Sequence, residues 1–251
     1  MPSKAARWEM AVQHYTTSEH SSGRDLELVA ELAKPTGRER ALDVGAGAGH
    51  TARALAERVE TVVVTDPVEG MLAAARSLFE REGLRNAQFL LASAESLPFV
   101  DGGFDIVTSR LAAHHFDDVP AAMREVVRVL KPGGIFIFVD TIAPVDEEAA
   151  RFQHEVELLR DSTHTRIYTQ AAWIGFAEAA GLRTERIEVV AKPHAFEPWL
   201  ARGGENDETM QRVRKRFIQA PQSAVRALDI QVVDGQVVSF TDRKLVLAGR
   251  R

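Results

Sequence analysis

Residues 38–50 read Arg-Glu-Arg-Ala-Leu-Asp-Val-Gly-Ala-Gly-Ala-Gly-His, and their order decides the fold. A short apolar run ending at Val44 meets three alternating glycines, Gly45, Gly47 and Gly49. Beyond them Ala52, Leu55, Ala56 and Val59 recur at helical spacing. That pattern is a strand, a tight turn and a helix. Glycine removes the Cβ where the backbone must bend sharply and lets a ligand lie against the main chain. The helix that follows brings free N–H groups and a positive dipole end to the same place.

Working outward, Thr61–Thr65 reads as a second buried strand and ends at Asp66. An acid about 20 residues past a glycine loop suits the hydroxyls of a ribose. Which nucleoside it serves turns on two details. A dinucleotide fingerprint asks for glycine where this chain has His50, and Asp43 stands ahead of the first glycine. A carboxylate there repels a pyrophosphate and attracts an ammonium group. Both details count against a nicotinamide-dependent oxidoreductase. They favour a ligand with a cationic amino acid at one end and a ribose at the other, which is the shape of S-adenosylmethionine.

With the later motifs added, the chain resembles the class I S-adenosylmethionine-dependent methyltransferases. The residues that carry the likeness are LDVGAGAGH, Asp66, SAESLPF, FDIVTSRLAAHHF and RVLKPGG, spread over roughly residues 40–140 in the family's order. The nearest branch is the small-molecule group similar to the ubiquinone/menaquinone C-methyltransferases. The resemblance implies a Rossmann-like α/β fold: a seven-stranded, mostly parallel sheet with helices on both faces and an antiparallel last strand. N-terminal helices and a lid after the fifth strand would complete it. One domain is expected over residues 1–251, with a helical cap (1–38), a cofactor-binding core (39–140) and a lid plus the rest of the sheet (141–251).

The cofactor contacts so implied are Asp43, Gly45, Ala46, Gly47, Gly49, Asp66, Pro67, Met71, Ser109 and Arg110. Family members often carry an acid where this chain has Ser93, so the adenine contact falls to Ala94 and Glu95. Tyr15 would close over the sulfonium, unless it and Trp8 simply pack their helix onto the body.

Composition sets wider bounds. The chain has 251 residues, enough to bury a full α/β core, and a formal net charge of -5. That charge gives no pull toward nucleic acid, and the Asn/Asp-Pro-Pro-aromatic motif of base methyltransferases is replaced by Arg110-Leu111-Ala112-Ala113-His114. There is no cysteine, which excludes disulfides and thiolate metal sites. MPSKAARWEM lacks a secretory apolar segment, and runs such as Ile135–Val139 are too short to span a bilayer. A cytoplasmic enzyme without membrane insertion is the expectation; a homodimer stays open.

Chemistry is expected at the end of the fourth strand, Phe104–Ser109. In an open parallel sheet the ligand crevice lies beyond the carboxyl ends of the strands. Arg110, His114 and His115 follow directly, and a histidine there serves as general base or orients the acceptor. His115 is favoured for the pocket; both histidines could instead cap and pack the next helix. No metal site is expected, because no second ligand sits at helical spacing nearby.

After the fifth strand, the loop Asp161-Ser162-Thr163-His164-Thr165-Arg166-Ile167-Tyr168 gathers donors, acceptors and one imidazole. Asp161, His164, Arg166 and Tyr168 are candidate acceptor contacts, with His164 a second candidate base. The alternative is a solvated connector. In the tail, Arg186–Ala191 and Lys244–Ala248 read as strands, and Asp234-Gly235 as a hairpin turn. Arg212, Arg214, Lys215 and Arg216 read as a solvated helix face or, less simply, a dock for an anionic partner.

Overall fold

In the computed structural model, which describes residues 12, 21–203 and 206–251, the chain enters the core through helix α1 (Arg24–Ala33). The run before the glycines forms strand β1 (Arg40–Val44) and the segment after them α2 (His50–Ala56). Then come β2 (Thr61–Asp66), α3 (Glu69–Arg81), β3 (Ala87–Leu91), β4 (Phe104–Arg110), α4 (Val119–Val129) and β5 (Leu130–Thr141). These five strands pair in parallel. The second half adds α5 (Glu147–Arg160), α6 (Gln170–Ala179), β6 (Arg183–Ala195), α7 (Phe196–Ala201), α8 (Asp207–Ile218), α9 (Gln222–Ala227), β7 (Gln231–Val233) and β8 (Gln236–Arg250).

Strand order is β3-β2-β1-β4-β5-β8-β6, with β8 antiparallel to both neighbours. Alternation along the strands sends Leu42, Val44 and Val107 to one face and Ala41, Val62 and Val64 to the other. Helices α4 and α6 cover the first face; α1, α2 and α3 cover the second. The sequence of strands reverses direction across the sheet between β1 and β4, which opens a crevice there.

Two expectations need adjusting. Among the described residues the sheet holds eight strands, because β7 is a short arm folded back on β8 through Asp234 and Gly235, both at positive φ (51° and 75°). The tail strands are also longer than their apolar runs. β6 and β8 pair from Arg183↔Arg250 to Ala195↔Ser239, since ladder bonds carry the strands past the point where hydrophobic alternation ends. Their far ends, with α5, α7, α8 and α9, enclose a third core around Phe152, Trp199, Phe217 and Phe240. On α8, Arg214 and Arg216 pair with Glu197 and Glu155 at 2.6 and 2.7 Å. Exposed pairs of this kind contribute about 0.2–1 kcal/mol each, so that face is a salt-bridged surface.

Asp43 is fully buried within the β1 layer. One carboxylate oxygen accepts the Ala52 N–H at 3.0 Å and the other the Thr108 hydroxyl at 2.8 Å, which fastens β1 to α2 and β4. Burial pushes its pKa up to about 7, against the opposing pull of Thr108, Arg110 and the Ala52 N–H. The native chain therefore holds a proton that the unfolded chain has released, and stability falls as pH rises from about 4 to about 7. Asp43→Asn keeps an acceptor for Ala52 and a partner for Thr108 but carries no charge. Its melting temperature is expected to exceed the parent's, by a margin that widens between pH 5 and pH 8 by the equivalent of about 3 kcal/mol. Thermal scans at three pH values check this, and a pH-independent difference would refute it.

Candidate active site

The glycine loop bends over the carboxyl ends of β1 and β4. Gly45, Gly47 and Gly49 all take positive φ, 64°, 53° and 83°. Their surroundings differ. A Cβ on Gly45 would come within 2.7 Å of the Ala112 methyl, and one on Gly49 within 2.9 Å of the Ala75 methyl. These two glycines hold packing together. Among the described residues a Cβ on Gly47 would meet nothing within 4 Å, because Gly47 borders two open cavities. Gly47→Ala is thus expected to fold with a melting temperature a few degrees lower, about 1 kcal/mol of left-handed strain. Its S-adenosylhomocysteine affinity should drop at least tenfold, whereas Gly45→Ala loses stability first; calorimetry and thermal scans on both variants separate the two.

The larger cavity, about 360 Å³, opens between the ends of β2, β3 and β4. Asp66, Pro67 and Met71 line one side, Ser93, Ala94 and Glu95 another, and Ala112, His115 and Phe116 a third. The Asp66 carboxylate is oriented by the Gly47 and Val68 N–H groups, each at 2.9 Å. Glu95 accepts the Asp117 N–H at 3.0 Å and so ties the cavity's two walls together.

The smaller cavity, about 120 Å³, lies on the other side of the loop. Gly45, Gly47 and Leu111 border both, so the two meet there. Leu111 itself sits at φ 55°, a left-handed conformation rare outside glycine that turns the chain sharply as it leaves β4. Arg110, His114, His164 and His194 face the smaller cavity, with Glu157, Arg160, Trp199, Arg202, Asp242 and Lys244 behind and around them.

The polar groups here are held in pairs. Arg110 reaches back to α1, bonding Asp25 at 2.7 Å and the Thr51 hydroxyl at 3.0 Å, and both ends of the ion pair are buried. Burial opposes the Asp25 charge, yet the Arg110 and Lys192 cations hold its pKa below the usual carboxylate range. His114 Nδ1 lies 2.6 Å from an Asp140 oxygen, and the His114 backbone N–H bonds the other oxygen at 3.0 Å. Asp140, at the end of β5, is fully buried; burial raises its pKa, but the His114 imidazole outweighs that and keeps it low. Lys244 donates to the Thr141 hydroxyl at 2.6 Å and to Asp242 at 2.7 Å.

The lid docks on the histidine turn. Thr165 donates its N–H to the His114 carbonyl at 2.9 Å, and the imidazole rings of His114, His115 and His164 lie 4.0–6.0 Å apart. Burial and the neighbouring His114 push His164 down to about 4, so it is neutral near pH 7. His115 is lowered well below its ordinary value, mainly by burial and then by His114.

The sequence-based site is rearranged in several places. Asp43 and Ser109 lie inside the sheet and Gly49 against α3; none lines either of these two cavities, because strand alternation and packing turn them inward. Of the lid candidates only His164 reaches the smaller cavity, joined by Ile167. Asp161 accepts bonds from Thr163 within its own turn; Tyr168 packs on Trp173 and Phe176, with the exposed Arg166 over its ring. His115 lines the larger cavity, as favoured, and His114 lines the smaller, so the two histidines reach opposite sides of the loop. Tyr15 lies outside the described residues. Sequence reasoning missed His194, Trp199, Asp242 and Lys244, whose one visible signal is a pair of charges, Asp242 and Lys244, on the same strand face as Phe240 and Val246.

Comparison with known proteins settles the family. Residues 42–138 match the methyltransferase domain model. The Bacillus subtilis (strain 168) protein YcgJ, an uncharacterized methyltransferase, is 36% identical over 230 residues, 91% of each chain. The chain belongs to the class I S-adenosylmethionine-dependent methyltransferases. The crystal structure of YcgJ superposes on this methyltransferase with a TM-score of 0.87 at 35% identity, covering 90% of this chain and 97% of that one. A ubiquinone/menaquinone biosynthesis C-methyltransferase from Stenotrophomonas maltophilia (strain K279a) is 39% identical over 100 residues, 38% of this chain and 40% of that enzyme. The likeness to it is thus confined to part of each chain. No helix of this methyltransferase is long and apolar enough to cross a membrane, among the described residues.

Proposed function

We propose that the chain, as one methyltransferase domain, moves a methyl group from S-adenosylmethionine to a small-molecule acceptor, with His114 as general base. The observation that supports this is the junction of two unlike cavities at Gly45, Gly47 and Leu111. The larger has an oriented carboxylate, Asp66, able to accept from ribose hydroxyls, and room beside Gly47 for a ligand on the main chain. The smaller presents an oriented imidazole.

Bound there, S-adenosylmethionine supplies an electrophilic methyl on a sulfonium. Asp66 would accept the ribose hydroxyls, while Ala94, Glu95 and Met71 enclose the base. The Gly45–Gly47 backbone would set the boundary between donor and acceptor, so that alignment provides most of the rate. With Asp140 accepting from Nδ1–H, a neutral His114 imidazole would offer Nε2 as the base. The sulfonium would give up its methyl to the acceptor and keep the electron pair of that bond, while His114 Nε2 would take the acceptor's proton. The test is stoichiometric: each methyl gained by an acceptor should release one S-adenosylhomocysteine. Tight cofactor binding with no such product across acceptors would make this a binding protein.

A further inference from the structure

We propose that the acceptor is a compact, hydrophilic metabolite carrying a hydroxyl or amino group beside an oxyanion or carbonyl oxygen, held by Asp242, Lys244, His164 and His194. This rests on the methyl-transfer reading and narrows it.

Four buried polar side chains on the smaller cavity carry the argument. His164, His194, Asp242 and Lys244 are each at least nine-tenths buried, with relative exposures of 8%, 6%, 2% and 6%. Among the described residues, His164 Nε2, His194 Nδ1 and Asp242 Oδ1 have no hydrogen-bond partner. The Lys244 ammonium has three hydrogens and two partners, the Thr141 hydroxyl and Asp242 Oδ2. A buried polar atom left without a partner costs about 1–3 kcal/mol, and several around one cavity are what a polar ligand relieves.

Each atom asks for a particular complement. Asp242 Oδ1 is acceptor-only and calls for a hydroxyl or amino hydrogen; the adjacent Lys244 offers a hydrogen to an oxygen. His164 can serve either way, whereas His194, with Nε2 3.1 Å from Asp242 Oδ2, presents Nδ1. An apolar occupant such as a quinol ring or prenyl chain would seal these atoms away unsatisfied. Size agrees: the cavity holds about a third of the volume on the adenosine side, 120 against 360 Å³. Glu157 with Arg160, Asp25 with Arg110 and Asp242 with Lys244 pair opposite charges around it, and Arg202 adds a further cation to its lining.

The experiment gives the full chain S-adenosylmethionine tritiated on its methyl, together with a bacterial extract split into aqueous and organic phases. Label is expected in a low-mass aqueous product. His194→Leu should then raise the KM for that product's precursor about tenfold, the loss of one such bond, and leave S-adenosylhomocysteine affinity unchanged. His164→Leu serves the same purpose if the first variant does not fold. Label in the organic phase overturns the proposal. So does absence of label from both phases in protein that binds S-adenosylhomocysteine, or an unchanged KM in the variants. Failure to bind S-adenosylhomocysteine would instead sink the methyl-transfer reading beneath it.

Discussion

Asp66→Ala is expected to weaken S-adenosylhomocysteine binding by at least about 100-fold in calorimetry, the largest single effect on the cofactor side. A charged acceptor of hydrogen bonds is worth about 1.5–3 kcal/mol per bond, and a ribose offers two hydroxyls. The change also strips acceptors from the Gly47 and Val68 N–H groups, which Asp66 holds at 2.9 Å each. Loop and ligand therefore lose the same anchor. Asp66→Asn separates these roles: its amide oxygen can keep one N–H and its affinity should fall between the two. A loss smaller than tenfold for the alanine variant removes the ribose assignment.

On the acceptor side, His114→Ala should cut kcat by about 10²–10⁴, the range for a lost general base, with S-adenosylhomocysteine affinity unaltered. Asp140→Asn tests the positioning separately. The amide can donate to His114 Nδ1, favouring the tautomer that carries its proton on Nε2, where the base must be empty. A kcat loss approaching that of the alanine variant, with KM little changed, is expected. If His114→Ala retains more than a tenth of the parent kcat, the proton leaves by another route.

Much of the fold was readable because its signals are local. The alternation of Gly45, Gly47 and Gly49 between an apolar run and a helical stripe needs no distant partner to be interpreted. The turn at Asp234-Gly235 and the acid closing β2 are equally self-contained. The acceptor side is different in kind. Asp242 and Lys244 join Glu157, His164 and His194 only because β8 inserts between β5 and β6, a pairing across many residues that no local pattern announces. The lid misled for a related reason: its composition was right for a site, but direction decides use. Tyr168 turns toward Trp173, Arg166 to solvent and Asp161 into its own turn, leaving His164 alone to face inward. Between His114 and His115, adjacency in sequence concealed opposite sides of the loop; Asp140, which singles out His114, is 26 residues away.

The Arg110–Asp25 contact has a bearing on how such chains diverge. Removing one member strands a charge in a place that solvent does not reach, at a cost of about 3–5 kcal/mol, whereas exchanging both for well-packed apolar groups can be neutral. Single steps through either residue are therefore nearly closed to drift. Descendants of this lineage are expected to keep the acid in the first helix of the core and the arginine that ends the fourth strand together, or to have traded both, and aligned homologues should contain almost no mixed states.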